Sequence, residues 1–191
     1  APATEQAVYL VPKAEVTDER PHLMVTVIGP GGGVGASTVA TSLAYLSSSK
    51  GKRPTALLGL DVHFGTGALS MDLEPGRGLT DAVENPSRID GLFIERAMVR
   101  ASETLALLSA EAPISQPLIT DGSAYYQREE ELRGAFEWTF VDMPRNMLVQ
   151  HPHLVHDSNV VVLVTEFTLA SARDTIRVLS WLKSNAPQSQ V

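Results

Sequence analysis

Residues 25–46 read VTVIGPGGGVGASTVATSLAYL, and the order of their parts decides the fold. An apolar, β-branched run comes first. Four glycines within five residues follow (Gly31, Gly32, Gly33 and Gly35), and a helical pattern begins at Ala36. A strand feeding a glycine-rich turn that opens a helix is the setting in which backbone N–H groups cradle a phosphate, helped by the roughly half positive charge of the helix N-terminus. The Walker A pattern G-x-x-x-x-G-K-[ST] uses this setting, with a lysine reaching the β/γ-phosphates and a hydroxyl ligating Mg²⁺. Here the lysine position is Ala36, and the hydroxyls of Ser37 and Thr38 follow it. The phosphate cradle is therefore read as Gly31, Gly32, Gly33, Val34, Gly35, Ala36, Ser37 and Thr38. A hydroxyl in a first helical turn either ligates Mg²⁺ or caps the helix, and the sequence leaves both open. Without the lysine the amides and the dipole still favour a phosphate, whereas the charge that stabilises a transferring phosphoryl group is missing. Weak ATP binding or none, with poor hydrolysis, is expected: at most a weak ATPase, and by this reading a pseudo-ATPase.

Outward from this stretch, LMVTVIG, TALLGLD, TLALLSA, WTFVDM and NVVVLVT are near-continuous apolar runs separated by helical patterns. Strands covered on both faces look like this, and alternation with helices implies right-handed crossovers. The fold expected is a three-layer α/β domain with a mostly parallel central sheet flanked by helices. Val39, Leu43 and Leu46 offer the first helix an apolar stripe toward the sheet, and further helices are expected near Asp90–Val99, Ser123–Phe136 and Leu169–Lys183. Residues 1–22 hold three prolines and no sustained periodicity, which reads as a linker, leaving 23–191 as the domain. The chain opens on Ala and stops at SNAPQSQV soon after an amphipathic helix, so it is expected to be a C-terminally truncated piece of a longer protein.

Composition narrows the function. With 43% apolar and 19% charged residues in 191, the chain is an ordinary globular sequence. Fifteen Lys plus Arg against 22 Asp plus Glu give a net charge of −7, the wrong sign for coating nucleic acid. No cysteine is present, which excludes disulfides, thiolate metal sites and Cys-held iron–sulfur clusters. No apolar run approaches the ~18 residues that span a bilayer, and no signal-peptide pattern opens the chain, so a cytoplasmic location is expected.

GPGGGVGASTVA resembles the deviant Walker A of the MinD/ParA group of P-loop ATPases, K-G-G-x-G-K-[ST]-[ST], with Gly31 and Ala36 at the two lysine positions. In that group the first lysine crosses a dimer to the partner's nucleotide. Residues 57–99, FVDMPR (140–145) and NVVVLVTEFTLASARDTIRVL (159–179) look like the CpaE/TadZ pilus-assembly branch of the group, and the likeness covers roughly residues 23–185. The resemblance implies an ATP- or ADP-binding domain with Mg²⁺, in which Asp61 is the switch I aspartate, the catalytic residue that positions water and the magnesium shell, and Asp142 the Walker B carboxylate that holds the metal through water. Ser37 is then the metal-ligating hydroxyl. Gly59 stands where an acidic residue is usual, and Arg145 stands where many members have glycine. A second reading of Asp142 is a cap on the next helix. Arg145 either lends charge to a phosphate or is a solvated surface residue.

The resemblance further implies a homodimer, a receiver-like domain before the linker and pilus secretion proteins as partners. It also implies peripheral membrane association at the cell pole or inner-membrane face, and a role in placing Flp/Tad-type pili. The alternative is an active ParA/MinD-type ATPase that positions DNA or cargo, against which stand the missing lysines and the acidic balance.

Three other motifs carry less. HPHLVH holds His151, His153 and His156 but is interrupted by a proline, and is read as a helix start near a surface. KGKR (50–53) suits the C-terminus of the first helix, and REEELR (128–133) a solvated helix face.

Overall fold

Leu23–Ile28, buried from its second residue onward, forms β1, an interior strand of the sheet. It is followed by α1 (Ala36–Ser49), β2 (Thr55–Gly59), α2 (Gly91–Ala97), β3 (Val99–Arg100) and β4 (Leu105–Leu108). Next come β5 (Trp138–Met143), α3 (Met147–Gln150), β6 (Val160–Leu163) and α4 (Leu169–Asn185), with short 3₁₀ turns at Leu69–Met71 and Pro152–Val155. This is a computed structural model, and it describes residues 21–74, 76–77, 80–81, 90–115 and 131–191. The expected linker up to residue 20 and most of the expected helix Ser123–Phe136, with the first half of REEELR, lie outside those residues; 131–135 are helical.

The six strands among the described residues lie in the order β3-β4-β2-β5-β1-β6. Every neighbouring pair is parallel except β3 against β4. Alternate residues divide the strands into two faces. Val25, Val27, Leu57, Leu105, Leu107 and Phe140 meet α1 on one side. Met24, Ile28, Leu58, Val141 and Met143 pack with Ile94 of α2 and Leu182 of α4. Each parallel strand is thus covered twice, which explains the unbroken apolar runs. All five expected strands form. β2 stops at Gly59 rather than Asp61, because the chain turns there, and the two-residue edge strand β3 carries no readable period.

The stripe on α1 is rotated from expectation. Its fully buried positions are Ala40 and Ala44, both 0% exposed, while Leu46 is 43% exposed. Val39 and Leu43 flank the buried line. A helix lying closely over a sheet needs small side chains at its line of contact, so volume and not hydrophobicity chose the inner face.

Two contacts close the sheet's margins. Beside β6, Gln190 makes a parallel bridge to Val160, with Val161 N–H donating to the Gln190 carbonyl (2.7 Å) and Gln190 N–H to that of Asn159 (3.0 Å). Just before β1, His22 has Nδ1 2.7 Å from the Phe136 carbonyl, while its Nε2 is buried without a partner among the described residues. Burial lowers the His22 pKa, the Phe136 carbonyl opposes this and the charge of Arg133 adds to it. The folded state therefore prefers neutral His22. Stability from this group is present above the ordinary imidazole pKa of about 6.5 and is lost as pH falls through the lower folded value. Urea midpoints between about pH 7.5 and 5.5 should fall more steeply in the native protein than in His22→Gln; equal slopes would show that His22 does not titrate with unfolding.

Candidate phosphate-binding site

Three strands end side by side where the site lies. In register, Asp142 of β5 sits between Val27 of β1 and Gly59 of β2, and Leu60 N–H donates to the Asp142 carbonyl at 3.0 Å. The glycine loop leaves β1, Asp61 follows β2, and Asp142 is the penultimate residue of β5. These are carboxyl ends of parallel strands, the edge where open α/β sheets bind ligands.

The loop's conformation demands its glycines. Gly33 and Gly35 have φ of 74° and 91°, a left-handed region that other residues enter at a cost. Among the described residues a Cβ on Gly32, Gly33 or Gly35 would meet nothing within 4 Å, so the cradle is open with respect to them. Gly35 is the N-cap of α1 and no side chain caps the helix. The first N–H donor bonded back into the helix is that of Val39, to the Gly35 carbonyl at 3.0 Å. Ser37 is turned toward Asp142 instead of capping.

Asp142 feels three influences. Burial, the largest, raises its pKa, the Ser37 hydroxyl works against this, and the charge of Asp61 pushes upward again. Ser37, Asp61 and Asp142 therefore form one electrostatic unit. Asp142 does not cap the helix after β5: α3 begins after Asn146 with no side-chain cap. Asp61 also shapes its own turn, its Oδ1 accepting from the N–H groups of His63 (3.2 Å) and Phe64 (2.9 Å). Two carboxylates beside a hydroxyl and an open cradle of amides suit a divalent cation with a phosphate. The residues fit that pair apart from the missing lysines.

The two lysine positions differ in their surroundings. A Cβ on Gly31 would lie 2.9 Å from Ser171 Oγ and 3.2 Å from Val34 Cγ1, so the first turn of α4 occupies the space of a side chain there. Ser171 is 4% exposed and its hydroxyl reaches Glu166 Oε1 at 3.3 Å, beside the N-cap Thr168. Ala36 packs against the core beneath α1.

Sequence reasoning passes over three residues. Gly29 is closely packed, since a Cβ there would lie 2.8 Å from Val34 Cγ2. Pro30 holds the place of the first Walker A glycine, five residues before Gly35, a departure that spacing alone could have revealed. Its carbonyl accepts from Arg145 Nη1 at 2.9 Å, so Arg145, though exposed, rests on the loop. Ser171 carries no signal in the sequence.

The remaining motifs lie elsewhere. Arg53 of KGKR pairs with Glu137 at 3.0 Å. The HPHLVH stretch makes a 3₁₀ turn with Pro152 at its start, and the rings of His151 and His153 meet edge-on at 5.9 Å. Two clefts of about 490 and 460 Å³ are lined near Arg77 and Arg96 and along the outer side of α1, away from the loop.

No family model matches the chain, and no curated protein is similar to it in sequence. Solved structures are similar in fold. A ParA family ATPase from Chlorobium tepidum TLS superposes with a TM-score of 0.76 at 16% identity, over 89% of this chain and 71% of that one. The fold is that of the ParA/MinD P-loop NTPases. The MinC:MinD cell division protein complex of Aquifex aeolicus matches this P-loop fold with a TM-score of 0.66 at 20% identity, over 88% of this chain and 66% of that one. Cobyrinic acid a,c-diamide synthase from Mycobacterium smegmatis, with bound ADP and magnesium, gives 0.66 at 19% identity over 88% and 71% of the two chains. At these identities the likeness is one of fold, and the chain spans about two thirds of the MinD-complex chain it matches.

Proposed function

We propose that this P-loop domain binds an adenine nucleotide with Mg²⁺, hydrolyses it slowly or not at all, and serves as a CpaE/TadZ-like localisation and assembly factor for Flp/Tad-type pili. The observation that carries the nucleotide part is the convergence of Ser37, Asp61 and Asp142 on an open glycine cradle that has no lysine. The amides of the loop hold phosphate, Ser37 and Asp142 hold the metal, and Asp61 fixes the turn beside them. Bound Mg²⁺ supplies the positive charge that lets a triphosphate sit near two carboxylates. The missing lysines leave the charge of a transferring phosphoryl group poorly balanced, hence slow turnover. The ADP and magnesium in the synthase of the same fold support the choice of ligand.

The pilus role rests on the likeness of residues 57–99, 140–145 and 159–179 to that branch. Homodimerisation and partner binding are supported by large apolar residues exposed beyond the carboxyl ends of β2 and β6: Phe64 at 69%, Phe167 at 113% and Leu169 at 90%. MinD's complex with MinC supports partner binding in this fold. Among the described residues no helix is long and apolar enough to cross a membrane; peripheral contact with the inner-membrane face rests on the same likeness.

Calorimetry with MgATP and a phosphate-release assay test the reading together. Saturable binding with release near background is expected. No binding, or turnover like that of an ATPase carrying both lysines, overturns it. For the pilus role, deletion should abolish assembled pili, and normal piliation would sink that part.

A further inference from the structure

We propose that Arg145 is the cation that faces the phosphates of the bound nucleotide, doing from the β5 side what the loop lysine does elsewhere. The inference rests on the nucleotide reading above and adds a binding residue to it.

The placement follows from register. Met143 ends β5 opposite Ile28, the last residue of β1, so the chain leaving β5 passes over the start of the glycine loop. Arg145 stands two residues further, and its Nη1 donates to the Pro30 carbonyl at 2.9 Å. A guanidinium has five N–H donors, and this contact uses one. Among the described residues no carboxylate pairs with Arg145: the ion pairs there engage Arg53, Arg133, Arg173 and Arg177. An unpaired guanidinium anchored at a loop whose neighbouring glycines face open space is placed to receive an anion.

Charge balance points the same way. Asp61 and Asp142 bring two negative charges to the mouth, and Ala36 and Gly31 bring none to offset them. Arg145 is the cation hydrogen-bonded to the loop among the described residues. Its planar fork matches two phosphate oxygens at once, which an ammonium cannot do. The bond to Pro30 holds the fork beside the cradle, so little freedom is lost on binding.

The test compares the native chain, Arg145→Gln and Arg145→Gln with Ala36→Lys, titrated with MgATP by calorimetry at two salt concentrations. Glutamine keeps an N–H donor for Pro30 but no charge. Arg145→Gln is expected to weaken ATP binding by about tenfold or more, with a shallower salt dependence and an unchanged melting temperature. Adding Ala36→Lys should restore affinity. If the native chain binds and Arg145→Gln binds equally well, the inference is overturned and Arg145 is a loop tether. It is overturned too if affinity falls together with melting temperature and the lysine does not restore it. A native chain that binds no ATP overturns the nucleotide reading itself.

Discussion

Asp142→Asn is expected to raise the melting temperature of the nucleotide-free protein while removing the magnesium-dependent part of nucleotide binding. Burial and the nearby charge of Asp61 lift the Asp142 pKa, with only the Ser37 hydroxyl opposing them. A group whose folded pKa is raised contributes stability that is full below its unfolded pKa and lost as pH rises through the folded value. At neutral pH the ionised carboxylate is therefore a cost, and asparagine removes it at nearly the same volume. A gain of about 1 kcal/mol, or about 2–4 °C for a chain of this size, is the expected scale. Magnesium-dependent affinity should fall about 10–100-fold, the scale at which groups supporting a metal act. Thermal unfolding with and without MgATP reads both effects. A lowered melting temperature without nucleotide would show that the carboxylate belongs to the architecture and not to a ligand.

The two lysine positions should respond differently when lysine is put back. Ala36→Lys places an ammonium at the start of α1, beside the open cradle, and should tighten MgATP binding by about 10–100-fold, the worth of a charge-assisted contact of about 1.5–3 kcal/mol. Gly31→Lys forces a Cβ to within 2.9 Å of Ser171 Oγ and disturbs its bond to Glu166. It should cost about 1–3 kcal/mol of stability, as overpacking does. Combining it with Ser171→Gly should recover much of that loss, because the colliding hydroxyl is then gone. Additive losses in the double variant would mean that the clash is not the reason for glycine at this position.

The features legible in the sequence share a property: their signal is local. Parallel strands buried on both faces write themselves as apolar runs, and a lone acid ending such a run, Asp142, stands out. The glycine loop was legible because strand, turn and helix follow one another directly. The inner face of α1 departs from its hydrophobic pattern because closeness to the sheet favours Ala40 and Ala44 over the bulkier residues that dominate such patterns. The contacts of Gly31 with Ser171 and of Pro30 with Arg145 join segments far apart in the chain, and nothing near either residue announces them.

The bridge between Val160 and Gln190 bears on how the molecule behaves among copies of itself. β6 is an outer strand of three valines and a leucine, and a bare edge of that composition is a template on which other chains stack. Two backbone hydrogen bonds near Gln190 occupy the beginning of that edge. Shelf life in concentrated solution should therefore hinge on a few polar residues that touch neither the loop nor its carboxylates.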